Sequence, residues 1–146
     1  MKFKAKEWAG FSDAVAQQYG ERIEQLIKAN GGKVSPADVV KDAKKQASVF
    51  HDYFEWDDSK AAVGYRLVQA REIVRGIVTV VKVAGRDVEQ RSFYSVTDPT
   101  TQAPIYVKMD QVAKNKGYAG ELMQRLIIQL DNAKVTIQML LEFQKR

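Results

Sequence analysis

The sequence predicts an α+β fold that is mostly helical, with a winged-helix-like core of three helices plus a β-hairpin and a long apolar C-terminal helix. Apolar residues recur at helical spacing in the first half, a β-branched run follows at residues 77–83, and helical spacing returns towards the end. We therefore expect three parts: an N-terminal segment 1–11, a winged-helix-like domain 12–97, and a C-terminal helical oligomerisation arm 105–146.

The first two helices have clear start and stop signals. Ser12 is a typical N-cap, and Asn-Gly-Gly at 30–32 is a typical C-terminal stop. Residues 33–34 are long enough for a very short strand. Ser-Pro-Ala-Asp at 35–38 starts a second helix, because it combines a hydroxyl cap, proline in the first turn and an acid near the helix N-terminus.

Residues 51–58 are the most unusual segment, because they contain three aromatic residues and four acids within eight positions. Trp56 followed by two aspartates resembles a helix start, with Asp as the cap and the indole closing the entry. An apolar stripe follows at Val63, Leu67, Ala70, Val74 and Ile77. The segment therefore looks like a structural joint that leads into the third helix.

The β-rich part comes next. Residues 77–83 and 88–96 are predicted strands, joined by a tight turn at 84–87 with Arg86 at its tip. Residues 98–104 read as a loop, and 105–107 as a third short strand.

The region from about residue 108 to 146 is predicted to be helical, with a break near Gly117. Its main apolar stripe supplies the predicted oligomer interface: Leu122, Leu126, Leu130, Ile137 and Leu140, together with Ala133. Further apolar residues widen this stripe, so either the domain or another copy of the chain must cover the helix.

Composition limits the class of protein. The 146 residues carry a formal charge of +5, contain no cysteine, and show no signal peptide or run of roughly 18 apolar residues that would span a membrane. The absence of cysteine excludes disulfides and thiolate metal sites. We expect a soluble intracellular protein without a membrane partner.

In a winged-helix arrangement the third helix enters the major groove and the hairpin contacts the DNA backbone. The cations that could meet phosphates are the predicted nucleic-acid site: Lys41, Lys44, Lys45, Lys60, Arg71, Arg75, Lys82, Arg86 and Arg91. The alternative is that these are ordinary solvated faces. Residues 33–91 hold eleven bases against nine acids, so DNA binding would depend on how charge is distributed over the surface.

Catalytic signatures are missing from the sequence. His51, Asp52, Glu55, Asp57 and Asp58 include ligand types that suit Mg²⁺ or Ca²⁺, but they lack the spacing of a calcium loop, and two have an explanation as helix caps. One histidine without cysteine leaves little room for a nucleophile and base pair. A hydrolase that uses carboxylates alone stays open, although no pair stands out. We predict no metal, no cofactor and no enzymatic activity.

Residues 35–40, 51–62 and 65–71 resemble a family of uncharacterised proteins encoded in bacteriophage and prophage genomes. The resemblance is specific over about forty residues and continues more loosely through the strand at 93–97 and a long C-terminal helix, which is more apolar here. It implies a phage origin and the cytoplasm of a bacterial host, and it supplies no catalytic residues.

Together these observations favour a phage-encoded, non-enzymatic DNA-binding protein that acts as a dimer or higher oligomer in regulation, recombination or packaging. The runner-up is a protein-interaction module, either an assembly factor or an inhibitor of a host protein, that docks through its C-terminal helix. A third possibility is a virion component that forms a ring or plug.

Overall fold

The computed structural model describes residues 2–56 and 60–146. Within them the chain has five α-helices, five β-strands and a short 3₁₀ turn at His51–Tyr53, which confirms the predicted α+β class. The elements in chain order are β1 (Phe3–Ala5), α1 (Asp13–Ala29), α2 (Pro36–Ala43), α3 (Lys60–Arg75), β2 (Ile77–Val83), β3 (Arg86–Arg91), β4 (Tyr94–Thr97), β5 (Pro104–Val107), α4 (Met109–Lys114) and α5 (Lys116–Gln144).

Both predicted N-caps are confirmed. The Ser12 hydroxyl accepts a hydrogen bond from the Val15 amide at 3.2 Å, and Ser35 and Asp38 form a reciprocal capping box at the start of α2. Beyond α1 the chain turns through Gly31 and Gly32, whose positive φ angles are those that glycine adopts at least cost.

The main core lies between α1, α2, α3 and the base of the hairpin. Its fully buried members include Phe3, Ile23, Val39, Phe50 and Ile73. Aromatic rings meet there in edge-to-face and tilted contacts, which adds directional packing to the burial of apolar area.

The N-terminal segment adds a strand to the hairpin. β1 pairs antiparallel with β2, and β2 pairs antiparallel with β3, so the sheet order is β1-β2-β3. The expected second strand at 88–96 is wrong as a single unit. β3 ends at Arg91, Phe93 is buried in the core, and β4 belongs to a second sheet.

The tight turn is shorter than predicted. Ala84 and Gly85 alone form it, both with positive φ, as in the two-residue turns that match the twist of hairpin strands. Arg86 is therefore the first residue of β3 and does not occupy the tip of the turn.

A second layer consists of the β4–β5 pair, α4 and the first turns of α5. It has its own small core of Val96, Ile105, Val107 and Val112. The boundary that we expected between a domain ending at residue 97 and an arm beginning at residue 105 falls inside this sheet.

Three contacts join the second layer to the helical core. Val34 forms a β-bridge with Tyr106 of β5. Lys33 pairs with Asp98 at 2.8 Å, and Lys108 pairs with Glu24 of α1 at 2.6 Å. The short strand expected at 33–34 thus pairs with β5, whereas the third strand of the hairpin sheet is β1.

The predicted apolar stripe of α3 is partly wrong. Val63 is 57% exposed, whereas Arg66 and Gln69 are buried. The buried face therefore includes two polar side chains, because both have hydrogen-bonding partners in the segment that precedes the helix.

Gly20 provides a test of how β1 is attached. A Cβ at this position would overlap the Phe3 ring, whereas a Cβ at Gly64 of α3 would meet open space. We expect Gly20→Ala to lower the free energy of unfolding by about 1–3 kcal/mol through overpacking. The control, Gly64→Ala, should raise it by up to about 1 kcal/mol through better helix propensity. Urea unfolding of both variants measures the difference; equal effects would contradict the proposed attachment.

Candidate interaction surfaces

In the described part of the chain, the first turns of α5 make its hydrogen bonds and core contacts with the domain. Tyr118 and Leu122 pack on the small core of the second layer. The Glu121 carboxylate accepts hydrogen bonds from the amide and hydroxyl of Thr97, each at 2.9 Å, and Arg125 donates to the Ser95 carbonyl. These contacts anchor the start of the helix on β4.

From residue 126 to residue 146, every residue of the chain is exposed. Ten large apolar side chains lie in this stretch, each between 49% and 60% exposed: Leu126, Ile127, Ile128, Leu130, Val135, Ile137, Met139, Leu140, Leu141 and Phe143. The domain does not wrap around α5, which was one of the two ways that the sequence left open for covering it.

The predicted oligomer-interface residues fall into two groups. Leu122 is half-buried against its own domain. The other four, Leu126, Leu130, Ile137 and Leu140, are all exposed beyond that contact. Leu122 therefore contacts its own domain and is less available to an oligomer interface, while the remaining four residues face solvent.

The hairpin separates its predicted DNA contacts. Arg86 lies opposite Val83, whereas Lys82 lies opposite Asp87 and Arg91 opposite Val78. Side chains alternate along a strand, so Arg86 points to one face of the sheet and Lys82 and Arg91 to the other. The three cations that were expected to act together at a wing do not share a surface.

Acids accompany the cations on the second of these faces. Asp87 lies directly across from Lys82, and Glu89 pairs with Lys4 of β1 at 3.1 Å. This face of the hairpin is therefore mixed in charge, which weakens it as a phosphate-binding surface.

The predicted cations of α2 are better grouped. Lys41 lies in the last turn of α2, Lys44 is its C-cap and Lys45 follows directly, and all three are exposed. Within the described residues, none of the three has a carboxylate close enough for an ion pair. They form one exposed cluster of positive charge.

On α3, Arg75 is exposed and Arg71 is half-buried, and α3 packs against α2. Lys60 begins α3, but its side chain lies outside the described part of the structure. The exposed side of α3 also carries Tyr65 and Val68, which offer few groups that could read base edges.

The aromatic segment at 51–56 has a structural role. The Trp56 indole donates to the His51 carbonyl at 2.8 Å and stacks on the His51 ring. The Arg66 guanidinium of α3 lies over the Trp56 ring, 4.8 Å from its centroid, and donates to the Glu55 carbonyl at 2.6 Å. The predicted aspartate caps at residues 57 and 58 lie outside the described residues.

Gln69 completes the joint through two hydrogen bonds. Its amide donates to the Tyr53 carbonyl and accepts from the Glu55 amide. Burial, together with the nearby carboxylate of Glu72, raises the pKa of Tyr53 to about 12. The joint thus pairs the buried side chains of Arg66 and Gln69 with backbone groups of residues 53–55.

A second polar network lies between α1 and α2. Burial of Asp42 would raise the pKa of its carboxyl, but hydrogen bonds from Arg22 and Ser48 outweigh burial and lower that pKa. The network ties the two helices together beside the lysine cluster, and Lys45 lowers the pKa of Asp42 further.

Within residues 2–56 and 60–146, no group of three or more His, Cys, Asp or Glu side chains is arranged to hold a metal ion. The His51 Nδ1 lies 2.7 Å from the Ala43 carbonyl oxygen. In the same described residues, no helix combines the length and hydropathy that crossing a bilayer requires.

Replacing Arg66 tests how much its contacts stabilise the joint. We expect Arg66→Met to lower the free energy of unfolding by about 1.5–3 kcal/mol, because the Glu55 carbonyl loses a hydrogen bond from the charged, buried side chain of Arg66. Arg75→Met makes the same change on an exposed position of the same helix and should alter stability by less than about 0.5 kcal/mol. Thermal and urea unfolding compare them. A small effect of Arg66→Met would show that the contacts of Arg66 contribute little to the stability of the joint.

Comparison with protein-family models, curated proteins and solved structures finds no match to this chain.

Proposed function

We propose that the protein is a non-enzymatic assembly protein that works as a homo-oligomer joined through α5. The observation that carries the proposal is the exposed stretch 126–146, where ten large apolar side chains find no cover within the described chain. If each leaves on the order of 80 Å² uncovered, together they expose about 800 Å² of apolar surface, and an exposed apolar surface of this size is typical of an interaction site.

The spacing of these residues suits an identical helix as the partner. Apolar side chains recur at alternating steps of three and four: Met123, Leu126, Leu130, Ala133, Ile137 and Leu140. This is the heptad pattern by which helices pack knobs into holes.

The flanking positions also favour self-association. If two copies of α5 ran parallel and in register, Gln129 of one chain would face Lys134 of the other. Thr136 would face Leu141. No like charges would meet along this seam, so identical helices are electrostatically compatible.

Ile137→Asp tests the proposal. Because it removes a buried apolar side chain and adds a charge to the seam, we expect the dissociation constant of the assembly to rise at least 100-fold, which corresponds to about 3 kcal/mol. Gln138→Asp is the matched control, since it places the same charge on the neighbouring polar flank and should leave the mass unchanged. Sedimentation velocity or light scattering over a range of concentrations measures the mass.

If the wild-type chain is monomeric at all concentrations, the proposed self-association is wrong. In that case α5 would be a docking helix for a different protein, either a phage protein or a host protein that the chain inhibits. We also propose a phage origin and a location in the bacterial cytoplasm, and both rest on the resemblance of residues 35–71 alone.

A second candidate function is DNA binding by the oligomer. It is favoured by the lysine cluster at the C-terminal end of α2, which combines exposure, closeness in the chain and freedom from ion pairs within the described residues. Several copies would multiply weak phosphate contacts through effective concentration. Arg75 on the adjacent helix could extend this surface.

A winged-helix assignment would accompany this second function. It is supported by the element order of α1, α2 and α3 followed by the β2–β3 hairpin. Two features depart from it: β1 takes the third place in the hairpin sheet, and Val34 pairs with β5. We therefore assign the phosphate contacts to α2, and no base reading to α3.

For DNA we expect a mobility shift at about 50 mM salt that weakens steeply as salt rises, since cations released from DNA drive such binding. The triple variant Lys41→Gln, Lys44→Gln and Lys45→Gln should weaken binding and reduce the salt slope by about 0.9 for each phosphate contact that is lost. Replacing Lys82, Arg86 and Arg91 with Gln removes the same charge and should have a smaller effect. No shift at low salt would eliminate DNA as a partner.

A further inference from the structure

α5 has a second apolar stripe on the side opposite the first. At 100° per residue, Ile128, Val135 and Met139 lie within about 40° of one another and roughly 160–200° from the centre of the main stripe. All three side chains are more than half exposed. The helix therefore has two apolar faces and not one broad face.

Polar residues separate these two faces on both sides. Gln124, Asp131, Gln138 and Glu142 lie along one flank. Arg125, Gln129, Asn132 and Thr136 lie along the other, which is polar up to Phe143 near the end of the helix. Two narrow apolar stripes divided by polar flanks suit two neighbouring helices, each of which packs into one stripe.

A single partner helix cannot cover both stripes. Packed helices lie about 8–10 Å apart and meet along one side, so a dimer through the main stripe would leave Ile128, Val135 and Met139 in water. The chain's own domain does not reach them, because all residues from 126 onwards are exposed.

Resting on the proposed self-association, we infer that α5 of each copy packs between the α5 helices of two other copies, so that the assembly contains more than two chains. Copies of this chain are the occupant that we commit to for both faces. The steps of seven and four residues between Ile128, Val135 and Met139 match a helical repeat, as the main stripe does.

The first experiment separates the two faces by mass. Wild-type protein should have a mass of three or more chains by sedimentation equilibrium. The variant Ile128→Gln with Val135→Gln should fall to two chains, because only the main stripe remains. The control, Gln124→Ala with Gln138→Ala, changes two positions of the polar flank and should keep the wild-type mass.

Each outcome decides the inference. A wild-type mass of two chains, or a double-glutamine variant that keeps three or more, would overturn it while leaving the proposed self-association intact. A monomeric wild type would overturn both. A double-glutamine variant that falls to monomers would show that the faces do not act separately, and so would also count against it.

Cross-linking provides a second test that does not weaken the helix with polar residues. The chain has no cysteine, so cysteines can be placed at will. Val135→Cys or Ile137→Cys alone, treated with a short bismaleimide, can join chains only in pairs. Both in one chain should give covalent ladders of three or more chains on a denaturing gel. Ladders limited to pairs would contradict two separate neighbours.

Discussion

The position of α5 depends on how the β4–β5 pair is attached to the helical core. The Val34–Tyr106 bridge and the ion pairs Lys33–Asp98 and Lys108–Glu24 hold this small sheet against α1. A hydrogen bond from Lys33 lowers the pKa of Asp98, as expected for a carboxyl held in its charged form. Because the sheet is fixed, its outer side provides a defined platform on which α5 begins.

The platform is shorter than the helix. The domain contacts about three turns of α5, from Lys116 to Arg125. The remaining apolar surface must be covered by something else, since large exposed apolar patches are rare on soluble monomers. The proposed assembly follows from this difference between the length of α5 and the length that the domain covers. Charge plays a smaller part, because the basic residues are spread over α2, α3 and both faces of the hairpin.

Local signals in the sequence predicted the caps of α1 and α2, strand β2, the short strand at β5 and the break before α5. Each depends on neighbouring residues alone. The sequence could not predict that residues 88–96 divide between two sheets, because Phe93 enters the core through tertiary packing. Nor did periodicity reveal that Arg66 and Gln69 are buried, since their partners at residues 53–55 are distant in the chain.

The candidate surfaces were predicted unevenly for the same reason. Apolar spacing identified the α5 residues, because helix geometry is local. The hairpin cations were grouped by their closeness in sequence, but the pairing register places Arg86 on the opposite face from Lys82 and Arg91. Register is set by the two-residue turn at Ala84–Gly85, which is shorter than the four-residue turn that was expected.

The domain sits at only one end of α5, and this gives any bundle of such helices a polarity. At about 1.5 Å per residue, the stretch 126–146 extends roughly 30 Å beyond its last contact with the domain. A parallel bundle would place all the domains, and with them the lysine clusters, at one end of the bundle. An antiparallel bundle would place domains at both ends and would separate them by the length of the bundle.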